Sequence, residues 1–270
     1  MLLLGSPALD TLIITGCTFT KSHTINISAP QLKQLEIRCC CDNDFIISAP
    51  TLVKFYWKDL MWTDCFFENQ FTLEIANLDM DGAVHEGIPD LEDRGPNRMI
   101  KCLKGLYNVK NLSLTAPVLE AISQLPSELE NWATPFSNLR YLCMETWLTI
   151  GCFRSVMFLL EKSLNVETFV LHVSRDLVHV PNTDEPGQVE TSLKLKLNKL
   201  KFVEFRGVVG CLDELEYLKV LLNNATTLKK MAIIRTTWKW SALYKKRLTS
   251  FNIEVLALPR ASSDITISFS

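Results

Sequence analysis

The chain has 270 residues, 47% of them apolar and 21% charged, with a formal net charge of −2. That length suits one large domain or two ordinary ones, and so even a charge balance gives bulk electrostatics no hold on nucleic acid or a membrane surface. No apolar run reaches the roughly 18–20 residues that a bilayer span requires.

The opening stretch, MLLLGSPALD, has an apolar run with no basic residue ahead of it, and Asp10 follows closely. This is not the pattern of a secretory signal. The nine cysteines are odd in number and form no paired framework. A reducing compartment, cytoplasmic or nuclear, is the expected setting.

From Leu9 onward one pattern recurs: an apolar residue, two residues, an apolar residue, one residue, an apolar residue. It is met at Leu9/Leu12/Ile14, Leu32/Leu35/Ile37, Leu52/Phe55/Trp57, Leu73/Ala76/Leu78 and Val109/Leu112/Leu114. It continues at Leu139/Leu142/Met144, Val166/Phe169/Leu171, Leu200/Val203/Phe205 and Leu228/Met231/Ile233. The nine copies are 23, 20, 21, 36, 30, 27, 34 and 28 residues apart. Leu103, Leu160 and Leu222 each stand six residues before their triplet, which supports the register. Alternation within each copy predicts a short strand with its second and third apolar residues turned inward. Such a unit cannot bury its apolar face alone and must stack on its neighbours. The expected fold is α/β: a leucine-rich-repeat solenoid, with a curved parallel sheet on the concave face and helices and loops on the convex face.

The first copies are short, and Pro7, Pro30 and Pro50 stand two residues before their triplets. Proline disfavours helix in the residue before it and pre-sets an extended approach. The convex side there is expected to be loop or strand. In the triplet Cys39, Cys40 and Cys41, the middle residue lies three after Ile37, as Cys17 lies three after Ile14. Leucine-rich repeats favour Asn or Cys there, turned inward to bond the bending backbone. Cys40 is therefore read as structural. A metal site would need further soft ligands, and no CxxC pair or histidine cluster offers them. No metal and no cofactor is expected.

The later copies carry helices. Phe153, Val156, Met157 and Leu160 follow helical spacing, as do Cys211, Leu215, Leu218 and Leu222, with Asp213, Glu214, Glu216 and Lys219 off the stripe. A weaker helix is expected over Met99 to Tyr107. Residues 82–96 and 181–190 read as loops. Asp79, Asp81, Glu86, Asp90, Glu92 and Asp93 make the first an acidic, solvated one. The repeats run to about Ile234, and a strand-rich piece is expected after it.

The segments SAPTLVKFYWKDL, CLKGLYNVKNLSL and above all LNKLKFVEFRGVVGCLDELEYLKVLLNNATTLKKMAI (Leu197–Ile233) resemble the plant F-box/FBD/leucine-rich-repeat proteins, and LALPRASSDITISFS resembles the close of an FBD region. The resemblance implies residues 1–192 as the repeat region and residues 193–270 as an FBD-like region continuing it. It also implies a protein-interaction module, the substrate-recognition part of a receptor in a cullin–RING ubiquitin ligase. The family's N-terminal F-box grips a Skp-type adaptor. Here the first repeat begins almost at Met1, which leaves no room for that three-helix module. Adaptor docking is expected only if an F-box lies upstream. The missing neighbour would also leave a bare strand at Leu12–Ile14 and exposed core at Leu2–Leu4, where the chain is expected to fray or aggregate.

Residues beside the inward pair of each strand are expected to line the concave face and meet a protein target. They include Glu36 and Arg38; Lys54, Tyr56 and Lys58; Tyr141 and Glu145; His172; and Glu204 and Arg206. Cys143, Val170 and Phe202 share these strands. Arg38 and Tyr56, the latter between two lysines, are the anchors of choice. Lys229 to Arg247 holds seven basic residues and no acid, interleaved with Trp238, Trp240 and Tyr244. Stacking on the aromatics would make this a nucleic-acid module. The favoured reading is a soluble cap on the open end of the repeats, with no nucleic-acid partner and no membrane. The four histidines fall in no HExxH, and neither GxSxG nor a Gly-rich phosphate loop occurs, so no enzyme is expected.

Overall fold

A computed structural model describes residues 8–17, 24–40, 44–60, 64–68, 72–81, 94–174, 194–236 and 242–270. Every one of the nine apolar triplets leads into a strand of a parallel sheet. The chain forms two compact units, residues 1–139 and 140–270.

In the first unit β1 (Thr11–Thr15), β3 (Gln34–Arg38), β5 (Lys54–Leu60), β7 (Ile75–Asp81) and β8 (Asn111–Leu114) lie side by side in that order. The registers pair Leu12 with Leu35, Leu35 with Phe55, Phe55 with Ala76 and Ala76 with Leu112. The sequence alignment of the triplets is thus the hydrogen-bonded register of the sheet. Leu32, Leu35, Ile37, Leu52, Phe55, Leu78 and Leu112 are wholly buried. A one-residue slip would turn each of these outward, so packing holds the register.

The return path of the early repeats is also strand. β2 (Thr24–Ser28), β4 (Asp44–Ser48) and β6 (Cys65–Phe67) form a second parallel sheet, with Ile25, Ile27, Phe45, Ile47 and Cys65 in the core. The repeated Ser-Ala-Pro explains itself here. Ser28 and Ser48 end β2 and β4 in register. Ala29 and Ala49 are buried at the corner, and their carbonyls accept from the N–H groups of Leu32 and Leu52 at 3.1 and 3.0 Å. Pro30 and Pro50 stand exposed in the turn, where a missing N–H costs nothing. Thr51 Oγ1 donates back to the Pro30 carbonyl at 2.8 Å, one repeat away.

Cys40 is fully buried, with its Sγ 3.3 Å from the Arg38 carbonyl and 3.8 Å from that of Ile14. Its N–H donates to Oδ2 of the buried Asp59 at 2.9 Å. The structural reading of the middle cysteine holds. Cys39 is exposed with φ +49°, and Cys41 lies outside the described residues. At the near end of the sheet Leu9 and Leu12 are only half-buried and Ile13 is 56% exposed. Leu2–Leu4 lie outside the described residues.

Helices take over the later crossovers. In the first unit these are α1 (Arg94–Gly105), α2 (Ala116–Ser123) and α3 (Pro126–Glu130). α1 starts five residues before the expected Met99, inside the stretch read as loop. Asp79 and Asp81, assigned to the acidic loop, belong to β7. The other acids of that loop lie outside the described residues. Burial pushes the Cys65 thiol well up, and pushes that of Cys102 on α1 up to about 12.

The second unit stacks β9 (Tyr141–Thr146), β10 (Thr168–Val173), β11 (Phe202–Val208), β12 (Lys230–Arg235) and β13 (Thr266–Phe269), again all parallel. Leu142, Phe169, Val203, Met231 and Ile267 share one register. α4 (Ile150–Glu161) buries the expected stripe of Phe153, Val156, Met157 and Leu160, and Thr149 caps it by accepting from the Cys152 N–H at 3.0 Å. α5 (Leu212–Asn224) departs from expectation. Leu215 is only half-buried, whereas Glu214, read as off the stripe, is fully buried. Its carboxylate accepts from the N–H groups of Val209 at 3.0 Å, Gly210 at 2.6 Å and Cys211 at 3.0 Å. Three donors at a helix start are worth a buried charge, because the carboxylate satisfies them and meets the positive end of the helix.

Just before that turn, Gly207 has φ +77° beside a register shift in β11. A Cβ there would lie 2.6 Å from the Val173 carbonyl oxygen. Gly210, at φ +82°, lets Phe251 of α6 (Ala242–Ala257) pack against it, and its carbonyl accepts from Arg247 Nε at 2.8 Å. The expected strand-rich ending is thus corrected: among the described residues sixteen residues of helix precede the one strand β13. Residues Trp238 and Trp240 of the basic tail lie outside the described residues. Among the described residues no helix is long and apolar enough to cross a membrane.

Two outcomes are expected. Gly207→Ala combines left-handed strain with a backbone clash and should lower unfolding stability by about 2 kcal/mol or more. Glu214→Ala strands buried N–H groups and should cost about 3 kcal/mol, with Glu214→Gln losing less. Denaturant titration of the variants measures both. In native protein at pH 8, iodoacetamide should modify Cys39 while sparing Cys40, Cys65 and Cys102, which react only in denaturant. Peptide mass spectrometry reads the order.

Candidate functional site

The register that aligns the inward residues also aligns the outward ones. In the first unit Glu36 pairs with Tyr56 and Tyr56 with Asn77, while Arg38 pairs with Lys58 and Lys58 with Asp79. These side chains and Gln34 line an open hollow of about 590 Å³, floored by the Trp57 strand position. Its charges are internally matched. Arg38 ion-pairs with Glu36 along its own strand, and Lys58 Nζ reaches Asp79 Oδ2 across to β7 at 2.7 Å. Glu36 is the more sheltered partner, at 14% side-chain exposure against 51% for Arg38, so the guanidinium is the accessible end of the pair. Tyr56 is half-buried among them. Lys54, at the Gln34 and Ile75 level, is exposed and lies outside the hollow's lining. Of the five first-unit anchor candidates four therefore come together, joined by Gln34, Asn77 and Asp79, which alternation in their strands also turns outward.

In the second unit Tyr141, Cys143 and Glu145 of β9 face the same side as His172 of β10 and Glu204 and Arg206 of β11. Glu145, His172 and Arg206 share one level, and Cys143, Val170 and Glu204 the next. Arg206 ion-pairs with Glu204, and that bond holds its guanidinium more firmly protonated. Burial pushes the Cys143 thiol up, against the opposing pull of Arg206, and it is hydrogen-bonded to Tyr141, whose phenol burial also pushes up. A thiol shifted that way is a poor nucleophile. His172 is exposed. Val170, expected on the open face, is buried between its neighbours on β9 and β11. This half of the candidate set thus presents a polar rim around a covered apolar centre.

The hollow and the rim offer paired charges, amides and aromatic edges. Such surfaces recognise polypeptide through complementary pairs and a few anchors. The FBD family model matches residues 196–233, the segment that holds β11, the Gly207–Glu214 turn, α5 and the start of β12. An F-box/FBD/LRR-repeat protein of Arabidopsis thaliana is 24% identical over 270 residues, covering 91% of this chain and 52% of that relative. A second F-box/FBD/LRR-repeat protein of the same plant is 25% identical over 280 residues, covering 98% of this chain and 58% of that relative. The chain therefore spans about half the length of the curated relatives it matches. No solved structure matches. The chain is thus similar over nearly its whole length to plant F-box/FBD/LRR-repeat proteins, and its residues 196–233 match the FBD family model.

Proposed function

We propose that the chain is a protein-interaction module that recognises polypeptide targets, as the substrate-recognition part of an F-box receptor does in a cullin–RING ubiquitin ligase. The carrying observation is the hollow of Glu36, Arg38, Tyr56, Lys58, Asn77 and Asp79, built by register from three separate repeats. An exposed guanidinium, a lysine and a half-buried tyrosine within one concavity have the composition of an interface hot spot. Similarity across nearly the whole chain to F-box/FBD/LRR-repeat proteins supports the ligase context. On this reading residues 1–192 and 193–270 are the repeat and FBD-like parts of one recognition surface bearer, and catalysis belongs to partners.

The test places the chain behind an adaptor-binding F-box in plant cells. Wild type should lower the abundance of a defined protein set in a proteasome-dependent way. The Arg38→Glu/Tyr56→Ala/Lys58→Glu variant should fold, since exposed ion pairs contribute only about 0–1 kcal/mol each. It should bind a purified member of that set at least about 30-fold more weakly, the ~2 kcal/mol of one hot spot. An unchanged set and unchanged binding would move recognition away from the hollow.

A further inference from the structure

Charge is distributed unevenly along this chain. Residues 1–139 hold 10 Lys and Arg against 17 Asp and Glu, while residues 140–270 hold 18 against 13. Much of the second unit's excess gathers along one rim. The residues that immediately precede its strands are tied in a row: the Glu167 N–H donates to the Arg140 carbonyl, Lys201 to Glu167, Lys229 to Lys201 and Thr266 to Lys229, each at 2.9 Å. Neighbours in such a row stand about 4.8 Å apart. The row therefore reads Arg, Glu, Lys, Lys along the edge of β9 to β12, with the exposed Lys199 two residues before Lys201 and the exposed Lys230 one after Lys229.

Local packing makes the row a consequence of the fold. In Lys194–Lys201, Leu195, Leu197 and Leu200 are buried, which turns Lys194, Lys196, Lys199 and Lys201 to solvent. Leu200 is the first apolar residue of its triplet, so its neighbour Lys201 must fall on the rim. The same holds for Leu228 and Lys229, and for Leu139 and Arg140.

The rim already holds one carboxylate. Glu167 Oε2 receives Lys201 Nζ at 2.6 Å, and its Oε1 lies 3.9 Å from Arg140 Nε. The hydrogen bond and charge of Lys201, with Arg140 and Lys199 behind them, hold its carboxyl below the usual range. One acid cannot neutralise five cations. Lys199, Lys229 and Lys230 make no ion pair among the described residues. Lys230 instead lies 5.9 Å from the Phe202 ring centroid, so an apolar plate borders the cationic row.

We propose that this rim, formed by Arg140, Lys199, Lys201, Lys229 and Lys230, is a docking strip for an acidic polypeptide segment rich in Asp and Glu. Alternate side chains of an extended peptide recur at about 6.6–6.8 Å, short enough for flexible lysines on a 4.8 Å row to meet each one. Carboxylate is favoured over phosphate as the ligand because a carboxylate is the group the row already holds. Apart from Lys230, the first residue of β12, the strip lies before the strands, and none of it belongs to the first-unit hollow, so the two sites stand or fall separately.

The test uses the full chain and a fluorescein-labelled decapeptide of alternating Glu and Ala, read by anisotropy at low salt and at 0.15 M salt, where screening acts over about 8 Å. Lys201→Gln/Lys229→Gln should weaken binding about tenfold and flatten its salt dependence. Glu167→Gln removes the resident acid and should tighten binding about threefold. The first-unit variant Arg38→Glu/Tyr56→Ala/Lys58→Glu should leave peptide affinity within twofold. Circular dichroism confirms that each variant is folded; exposed Lys→Gln changes leave the core untouched. Binding that is indifferent to Lys201 and Lys229, or weakened by Glu167→Gln, would overturn the proposal. So would tighter binding of oligo-dT than of the peptide through the same lysines, which would make the strip a nucleic-acid site.

Discussion

The structure depends on one constraint: a strand with apolar residues on one side cannot bury them by itself. Each repeat contributes two or three inward side chains, and they become core only when the next repeat is in register. Leu35, Phe55, Ala76 and Leu112 are such a line, and so are Leu142, Phe169, Val203 and Met231. Within each unit the core is therefore one-dimensional, a file of contacts running across the strands. Such a file is less covered at a terminal strand: Leu12 on β1 of the first unit is half-buried, as are Ile267 and Phe269 on β13 of the second.

Parallel stacking forces a second demand. Every strand must end in a corner whose backbone groups lie against the core, away from water, and each needs a partner. The chain meets this differently at each repeat. Cys40 turns its sulfur to two carbonyls and its N–H to Asp59. Thr115 accepts from the Met80 N–H at 3.0 Å. Thr146 accepts from Leu148 and meets the Tyr217 hydroxyl at 3.1 Å. At β11 the corner is made by Gly207, Gly210 and Glu214. The task is the same throughout, and different residue types perform it. The FBD segment can be understood as the solution for a repeat that must turn sharply into a helix while a second helix packs on the turn at Phe251.

That distinction governs what could be read from the residues alone. Apolar spacing carries the strand register, since inward packing tolerates no slip, and nine strands follow from it. It also carries α4, whose buried face holds no polar residue larger than Ser155. It fails where a polar residue does core work. Glu214 looks like a solvent-facing acid on α5, and only the convergence of three N–H groups makes it internal. β13 falls within the strand-rich ending expected after Ile234 but could not be placed in the repeat register, because Asp264 stands where the first apolar residue of a triplet would be, although Ile267 and Phe269 keep the other two positions. α2 and α3 are too short for periodicity to declare them. The hollow was half legible: alternation gives the outward residues of a strand, but which strands share a concavity is a property of the assembled sheet. Val170 alternates outward like the rest and is nonetheless covered.

A file of inward residues under strict packing leaves the outward and rim positions unconstrained by the core, and chemistry can vary there at little cost to folding. The two surfaces of interest use that freedom in opposite ways. In the first-unit hollow both basic groups, Arg38 and Lys58, have an acid beside them, so the surface is polar yet nearly neutral and on the proposed reading would discriminate by shape and pairing. On the second-unit rim the cations outnumber their one acid, so attraction acts before contact and fades with salt. A target gripped by the first would be chosen for fit, and one drawn by the second for charge. The same repeat geometry supports both, because within a repeat the rim position stands three residues before an outward position with a core residue between them, as Lys201, Val203 and Glu204 show.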